Sequence, residues 1–389
     1  MIMVGKVFIA LIWTLWLFAS GSVADGAEIK PHDHSKMSIE ERRAIQKKWE
    51  VEDNKPKPEY FPTYSTTYDR VIKRGYVICG TNDEFPGFSQ EKYTNEDGVM
   101  WVGFDVDMCR AVAVAIFGDS DAIEFEIVNG KTRFEFLRDG SIDMLSAATT
   151  YTYTRNVLKK LEFMPTTYYD GQGFIVRKTL GVSSAKQMQG ARICFSGSGT
   201  AAKNIADFMK LHGITYIPVS VKPTEKTKNV YKRGDCDMYG TDRSGLASNR
   251  LSFDAPERHM ILPEIISKEP LGPVVKYGDQ KWSDIVRWTI YVLFIAEEMG
   301  INSHNIDQFI DNIDPNVQRF MGEKNGKDHP HLGSKLGLDA SWSYNVIKEV
   351  GNYKEIYERN VGENTPIGLK RGLNKLYIHG GLLYAPPLK

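Results

Sequence analysis

The chain has 389 residues, more than one ordinary hydrophobic core accommodates, so its length predicts at least two packed units. Lys and Arg together number 49, as do Asp and Glu together, and the formal net charge is therefore zero. This balance excludes the basic surface that a nucleic acid would need and favours a small neutral or zwitterionic ligand.

The first 24 residues have the features of a secretory signal peptide. Lys6 supplies a positive charge, residues 7–18 form an apolar run, and a small-residue cleavage site ends at Ala24. The apolar run is shorter than the about 20 residues of a membrane-spanning helix, and an uncleaved anchor is the alternative interpretation. Because the first cysteine is Cys79, no lipid-bearing cysteine follows the signal. The mature chain is expected outside the cytoplasm.

Residues 25–64 are rich in Lys, Glu, Pro and His, and they predict a polar linker with one short helix at 38–49. Two His-x-His pairs, at 32–34 and 329–331, raise the question of a metal site. Each pair lacks a third ligand and supporting groups, so surface histidines are the favoured interpretation and no metal is expected.

From residue 68 onward, short β-rich runs alternate with helical patterns, which predicts βαβ units and a mainly parallel sheet. The first series comprises strand 77–80, helix 105–116, strand 125–128, helix 133–139 and strand 144–147. The pattern then restarts with strand 192–195, helix 200–212, strand 216–219, helix 224–232 and strand 237–240. The chain is therefore expected to have an α/β fold with two similar lobes.

Two extended runs, 168–176 and 272–276, are the candidates for strands that cross between the lobes and act as a hinge. An amphipathic helix is expected at 282–299 and a further helix at 369–377. The predicted domains are lobe I at 65–172, completed by 272–300, lobe II at 173–271, and a helical C-terminal extension at 301–389 that packs on lobe I.

The four cysteines are able to pair if the chain is exported to an oxidising compartment. Cys79 lies in a strand-like run and Cys109 in the next helical run, while Cys194 and Cys236 lie in or beside strands of the second unit. Four cysteines allow three pairings. We favour Cys79 with Cys109 and Cys194 with Cys236, which keeps each bridge local; the spacing alone does not decide the connectivity.

Candidate binding residues lie where strands end, because ligands of open α/β sheets bind at the carboxyl ends of the strands. Arg155 follows the strand 144–147 and is the candidate partner for a carboxylate, since a guanidinium offers a planar bidentate fork. Thr150 keeps a hydroxyl free for the same ligand, while Thr152 or Thr154 caps the helix that begins there.

The second unit carries complementary groups. Loop 196–200, which ends at Thr200, joins a strand to a helix and offers backbone N–H groups and a positive dipole end to a carboxylate. Asp242 follows the strand-like run 237–241 and is the candidate partner for an ammonium. A free L-amino acid carries both groups. Because no Ser-His-Asp or Cys-His arrangement is found, we expect neither catalysis nor a cofactor.

These residues also belong to a recognisable pattern. Arg155 and the runs around it resemble the family 3 extracellular solute-binding proteins of ABC transporters, and the later runs resemble the general L-amino-acid-binding branch of that family. The matching runs are 103–107, 143–146, 168–176, 237–242, 262–273, 351–353 and 384–387. The likeness covers residues 67–389 and all four cysteines.

The resemblance implies a two-lobed, type II periplasmic-binding-protein-like clamp. Such a protein is a periplasmic monomer that closes around a free L-amino acid and delivers it to the membrane permease of an ABC transporter. Carried over by position, the carboxylate-binding Arg is Arg155, its hydroxyl partner is Thr150, the second-lobe threonine is Thr200, and the ammonium-binding Asp is Asp242. The resemblance adds Phe85 as the aromatic residue that covers the ligand side chain.

Four positions depart from that branch. It usually has Asn where this chain has Ala148, threonines where it has Ala201 and Ala202, and Gln where it has Arg243. Backbone-binding groups are retained while side-chain contacts are altered. Arg243 either favours an acidic ligand side chain or points to solvent.

Two alternative functions belong to other classes. Some relatives on this fold resemble dehydratases that act on carboxylate substrates such as prephenate or arogenate, which would require a general acid or base in the cleft. A sensory module that presents its closed state to a receptor would use the same ligand contacts as a transport protein.

Overall fold

The computed structural model describes residues 66–93, 99–197, 199–222, 225–322 and 332–389. The predicted signal peptide, the polar linker and both His-x-His pairs lie outside these ranges. No helix within them is long and apolar enough to cross a membrane. Within the same ranges, no group of three acidic, cysteine or histidine side chains is placed to hold a metal ion.

Strands and helices alternate along the described chain. The strands are β1 (Val77–Thr81), β2 (Glu84–Phe85), β3 (Ser89–Tyr93), β4 (Val99–Val102), β5 (Ile123–Ile127), β6 (Met144–Leu145), β7 (Leu161–Phe163), β8 (Tyr168–Asp170), β9 (Gln172–Arg177), β10 (Arg192–Ser196), β11 (Ile217–Val221), β12 (Met238–Asp242), β13 (His259–Ile261), β14 (Glu269–Leu271) and β15 (Val274–Lys276). The α-helices are α1 (Thr67–Arg74), α2 (Phe104–Phe117), α3 (Arg133–Asp139), α4 (Ala201–Leu211), α5 (Thr227–Lys232), α6 (Arg243–Arg250), α7 (Gln280–Glu298), α8 (Pro315–Met321), α9 (Leu332–Leu336), α10 (Trp342–Val350) and α11 (Tyr353–Asn360).

Two five-stranded sheets organise these elements. The first has the order β5-β1-β6-β15-β7 and the second the order β11-β10-β12-β9-β13. In the first sheet β1 pairs in parallel with β5 and β6, and in the second β10 pairs in parallel with β11 and β12. Both sheets therefore contain the predicted βαβ units, and the two-lobed α/β clamp is confirmed. We call the part built around the first sheet lobe I and the part built around the second sheet lobe II.

An antiparallel ribbon of β8 and β14 connects the two sheets. Asp170 lies opposite Glu269 in this ribbon, and β8 continues into β9 of lobe II through Gly171. A Cβ on Gly171 would lie 2.3 Å from Ile265 Cγ2, so only glycine allows the two passing segments to approach this closely. The second crossing begins before the predicted run 272–276, because β15 already pairs with β6 and β7 of lobe I.

The C-terminal helices share one hydrophobic core with lobe I. Trp282 and Ile285 of α7 are fully buried, as the predicted amphipathic pattern requires. The Phe104 ring of α2 lies edge-on to Tyr353 and Tyr357 of α11, at centroid distances of 5.7 and 6.3 Å. Lobe II has two hydrophobic clusters of its own among the described residues.

The predicted helix at 369–377 is wrong. The chain there forms two short 3₁₀ turns, Gly372–Asn374 and Tyr377–His379. Gly372 adopts a φ of 48°, in the left-handed region that ends a right-handed helix.

Two disulfide bonds are present in the structure. Cys79 of β1 is joined to Cys109 of α2, and Cys194 of β10 to Cys236, the pairing favoured from the sequence. The bridges close loops with sequence separations of 30 and 42 residues. In the chain-entropy description, each bridge stabilises its lobe by about 4 kcal/mol.

Candidate ligand-binding site

The two lobes contact each other on one side of the hinge ribbon. Lys226, which precedes α5 of lobe II, places Nζ 3.4 Å from Oδ1 of Asp83, which follows β1 of lobe I. The ring of Phe85 lies against α6, where a Cβ on Gly245 would lie 3.7 Å from Phe85 Cζ. We call the region between these contacts and the hinge ribbon the cleft.

Arg155 lies in the π-helical turn Thr154–Leu158. The hydroxyl of Thr152 accepts a hydrogen bond from the Arg155 amide at 3.2 Å and so caps this turn. The guanidinium lies over the Phe134 ring, 5.5 Å from its centroid, and Nη1 donates to the Thr150 carbonyl at 2.7 Å. These contacts fix the orientation of the guanidinium plane. Its other donors have no partner among the described residues, so they are free to bind a ligand.

The charge of Arg155 is largely removed from water, since only 7% of the residue is exposed. This burial lowers the pKa of Arg155, while the negative charges of Glu269 and Asp242 act in the opposite direction. No carboxylate of the described chain forms an ion pair with it. A ligand carboxylate would supply that missing counter-ion.

The loop before Arg155 is held by a buried acid. Asp105 Oδ2 accepts from the Ala148 amide at 2.9 Å, and Asp105 Oδ1 accepts from the Ser146 hydroxyl at 3.0 Å. Burial raises the pKa of Asp105 to about 6, although these two hydrogen bonds lower it. Thr150 ends the loop, is 4% exposed, and its hydroxyl has no hydrogen-bond partner within the described ranges. That hydroxyl is available, as the sequence predicts.

Thr200 lies directly before α4, but its hydroxyl donates to Glu269 Oε2 at 3.3 Å. Glu269 also accepts from Asn204 Nδ2 and from the Ser267 hydroxyl, both at 2.7 Å. Asn204 Nδ2 also donates a hydrogen bond to Gln172 Oε1 at 2.9 Å. Glu269 of the hinge ribbon is thereby bonded to lobe II, and the ligand contact expected of Thr200 stays a prediction.

Asp242 ends β12 and lies close to two further acids. Asp170 of the hinge ribbon accepts from the amides of Gly171, at 2.7 Å, and Ser244, at 3.1 Å, whereas the carboxylate of Asp242 has no hydrogen-bond partner in the described part of the chain. Burial raises the pKa of Asp242 well above its usual value, and the charges of Asp170 and Glu269 raise it further. An ammonium ion at this point would relieve the repulsion.

Phe85 stacks on Phe88 at a centroid distance of 4.5 Å and faces Gly245 of lobe II. The structure thus places an aromatic ring of lobe I at the interface between the lobes. Its role as a cover for the ligand side chain stays a prediction.

A family model for bacterial extracellular solute-binding proteins, family 3, matches residues 77–363. The chain belongs to this family.

Relatives of this family 3 protein match over most of their length. The general L-amino acid-binding periplasmic protein AapJ of Rhizobium johnstonii is 46% identical over 84% of this chain and 93% of its own. The glutamate/glutamine/aspartate/asparagine-binding protein BztA of Rhodobacter capsulatus is 43% identical over 84% of this chain and 94% of its own. An ABC transporter periplasmic binding protein from Brucella ovis, solved with glutathione bound, is 41% identical, with a TM-score of 0.79 over 84% of this chain and all of that one.

Membership in this family makes the chain a solute-binding protein and not an enzyme. The dehydratase alternative is thereby set aside.

Arg243 of this family 3 protein is bonded to backbone carbonyls of lobe II, and its positive charge lowers the pKa of Asp170, which burial raises. Its Nη1 donates to the carbonyl of Leu262 at 2.6 Å and lies 3.4 Å from the carbonyl of Glu264. Arg243 thereby ties α6 to the segment after β13, and its effect on ligand selectivity stays a prediction.

Two cleft residues of this family 3 protein were missed from the sequence. Glu269 lies in the second crossing, and Arg133 begins α3 directly after the loop that follows β5. The same rule that selected Arg155, a charged residue beyond the carboxyl end of a strand, would have selected Arg133. Glu269 had a weaker signal, an acid directly before the run from Pro270 to Pro273, which carries no charge.

Proposed function

We propose that this protein captures a free L-amino acid in the cleft and delivers it to the permease of an ABC transporter. The observation that carries this proposal is the placement of Arg155 on lobe I and Asp242 on lobe II, both without a counter-ion in the described chain and both electrostatically coupled across the cleft. An α-carboxylate and an α-ammonium match this pair in sign.

Ligand contacts from both lobes give a physical reason for closure. A zwitterion bound by Arg155 and Thr150 alone would leave its ammonium without a partner, and closure brings Asp242 to it. The ligand therefore interacts more favourably with the closed form and shifts the equilibrium towards it. The names of AapJ and BztA, both amino-acid-binding proteins, support this assignment.

We propose export to the periplasm through cleavage of the signal at residues 1–24, and function as a monomer. The periplasmic name of AapJ and the two disulfide bonds support this location. Intact-mass measurement of the protein from a periplasmic extract is expected to show a chain that starts after Ala24. A full-length mass would indicate the uncleaved anchor.

The decisive experiment is isothermal calorimetry of the purified protein with each of the twenty L-amino acids. We expect saturable binding of at least one amino acid without turnover. Arg155→Ala is expected to lower affinity more than a hundredfold, about 3 kcal/mol, because the ligand carboxylate loses its partner. The matched control is Arg258→Ala, at a lobe II side chain that is 78% exposed. Absence of binding to all twenty would refute the proposal.

Transport is distinguished from sensing by the partner. Genes for a permease and an ATPase beside the gene for this chain, together with loss of amino-acid uptake on its deletion, are expected for transport. Normal uptake with a lost signalling response would favour the sensory module.

A further inference from the structure

Arg133 is a cleft residue to which the proposed function assigns no partner. It begins α3 in lobe I, and its Nη1 lies 3.5 Å from the hydroxyl of Thr149. Its Nε atom is enclosed and has no hydrogen-bond partner. No carboxylate of the described chain forms an ion pair with the Arg133 guanidinium, which is thus a partly buried cation without a counter-ion.

Arg133 belongs to a group of cations around one aromatic ring. The Phe134 ring lies 4.7 Å from Arg133, 5.5 Å from Arg155 and 5.3 Å from Lys159. Burial and the charge of Arg155 lower the pKa of Arg133 to about 9, and Asp242 on lobe II acts in the opposite direction. Arg133 therefore stays charged at neutral pH and interacts with groups on both walls of the cleft.

A neutral amino acid would leave this charge uncompensated. Its carboxylate is taken by Arg155 and its ammonium by Asp242, so closure would enclose Arg133 with no anion beside it. Burying an unpaired charge is costly, whereas a paired and hydrogen-bonded charge is tolerated. Arg243 is held by the backbone carbonyls of Leu262 and Glu264, and its charge acts on Asp170.

We infer that Arg133 binds a second carboxylate of the ligand, so that the preferred solutes are acidic amino acids such as L-glutamate or L-aspartate. This inference rests on the proposed function, since it takes Arg155 as the partner of the α-carboxylate. Thr149, next to Arg133 Nη1, orients the guanidinium towards that carboxylate.

Calorimetry with isosteric ligands tests the inference, because L-glutamate and L-glutamine, like L-aspartate and L-asparagine, differ mainly in charge. We expect the wild type to bind the acid of at least one pair about tenfold tighter than its amide. Arg133→Met is expected to weaken binding of that acid about a hundredfold and of its amide less than about threefold, and Arg133→Lys to restore part of the difference. The control is Arg138→Met on the same helix, an exposed residue whose Nε donates to the Phe134 carbonyl.

The outcomes separate this inference from the proposed function. If the wild type binds both amides as tightly as both acids, or if Arg133→Met weakens acid and amide equally, Arg133 does not select a second carboxylate and the inference is overturned. If the wild type binds no amino acid at all, the proposed function fails first. Should Arg133→Met not fold, as judged by circular dichroism, the wild-type ratios and Arg133→Lys still decide the question.

Discussion

Arg155 and Asp242 show how single side chains prepare the cleft for a charged ligand. Each is held by its own lobe, and neither has a counter-ion within the described ranges. Burial disfavours both charges, and the opposite charges of a zwitterion would supply each with a counter-ion. The protonation of Asp242 leads to one prediction. The backbone of Ala148, in the loop before Arg155, leads to a second.

Ligand affinity is expected to fall as the pH is lowered from neutrality into the acidic range. The pKa of Asp242 is raised by burial and by Asp170 and Glu269, whereas the ligand ammonium keeps its proton throughout this range. Binding requires the ionised carboxylate, so below the raised pKa a proton must leave Asp242 and affinity drops by up to tenfold per pH unit. Calorimetry in two buffers of different ionisation enthalpy will detect this proton release. A binding enthalpy independent of the buffer, with constant affinity, would contradict the prediction.

Ala148→Gly is expected to raise the free energy of unfolding by about 0.5 to 1 kcal/mol. Ala148 has a φ of 43°, a left-handed conformation that a Cβ disfavours and glycine does not. The control is Ala147→Gly next to it, which lacks a positive φ and should lower stability by about the same amount. Urea unfolding of the ligand-free protein measures both. Equal destabilisation by the two substitutions would show that Ala148 is not strained.

At the scale of elements, the hinge ribbon is tied to the C-terminal extension. Asn374 lies in a 3₁₀ turn and is 3% exposed. Its Oδ1 accepts from the Tyr169 amide at 2.6 Å, and its Nδ2 donates to the Tyr169 carbonyl at 3.2 Å. The hydroxyl of Tyr353 donates to the carbonyl of Thr167, just before the ribbon, at 2.7 Å. The extension thus satisfies the backbone N–H and C=O of Tyr169 in β8 and the carbonyl of Thr167 just before it.

Asn374→Ala is expected to lower the free energy of unfolding by about 1 to 3 kcal/mol, because it leaves two buried backbone groups of Tyr169 unpaired. Asn374→Asp keeps the acceptor but places a buried carboxylate oxygen against the Tyr169 carbonyl, so its loss should be at least as large. Urea unfolding of the ligand-free protein compares the three forms. Wild-type stability of Asn374→Ala would show that water replaces the side chain at no cost.

At the scale of the whole molecule, binding depends on how closely the lobes approach. Gly245 of α6 faces Phe85 of β2, and Asp83 pairs with Lys226 nearby. These contacts exist only when the lobes are together, so they set the limit of closure.

Gly245→Leu is expected to weaken ligand binding about 10- to 100-fold, because the larger side chain would meet the Phe85 ring before the lobes close. Gly245→Ala is the matched control, since its Cβ would make only ordinary contacts, 3.4 Å to Thr241 Cγ2 and 3.7 Å to Phe85 Cζ. Calorimetry and small-angle scattering with and without ligand measure affinity and closure together. Full closure and wild-type affinity of Gly245→Leu would rule out this limit.

Local pattern was sufficient for much of the fold. The helix predicted at 105–116 is Phe104–Phe117, and the helix predicted at 133–139 is Arg133–Asp139. The failure at 369–377 has a local cause, the left-handed backbone of Gly372, whose conformation its residue type permits but does not require.

The sequence by itself determined the two α/β lobes and the choice of Arg155, Thr150 and Asp242 as candidates. Two local features made this possible: the alternation of strands with helices, and the position of a residue at the end of a strand. Both are properties of short segments, so the sequence shows them directly. Only the tertiary structure decided that Arg243 bonds to backbone carbonyls, that Glu269 accepts a hydrogen bond from Thr200, and that the Nε atom of Arg133 is buried without a partner among the described residues. Each of these depends on which distant segments meet, because a side chain's partners and its burial are set by packing and not by its neighbours in the chain.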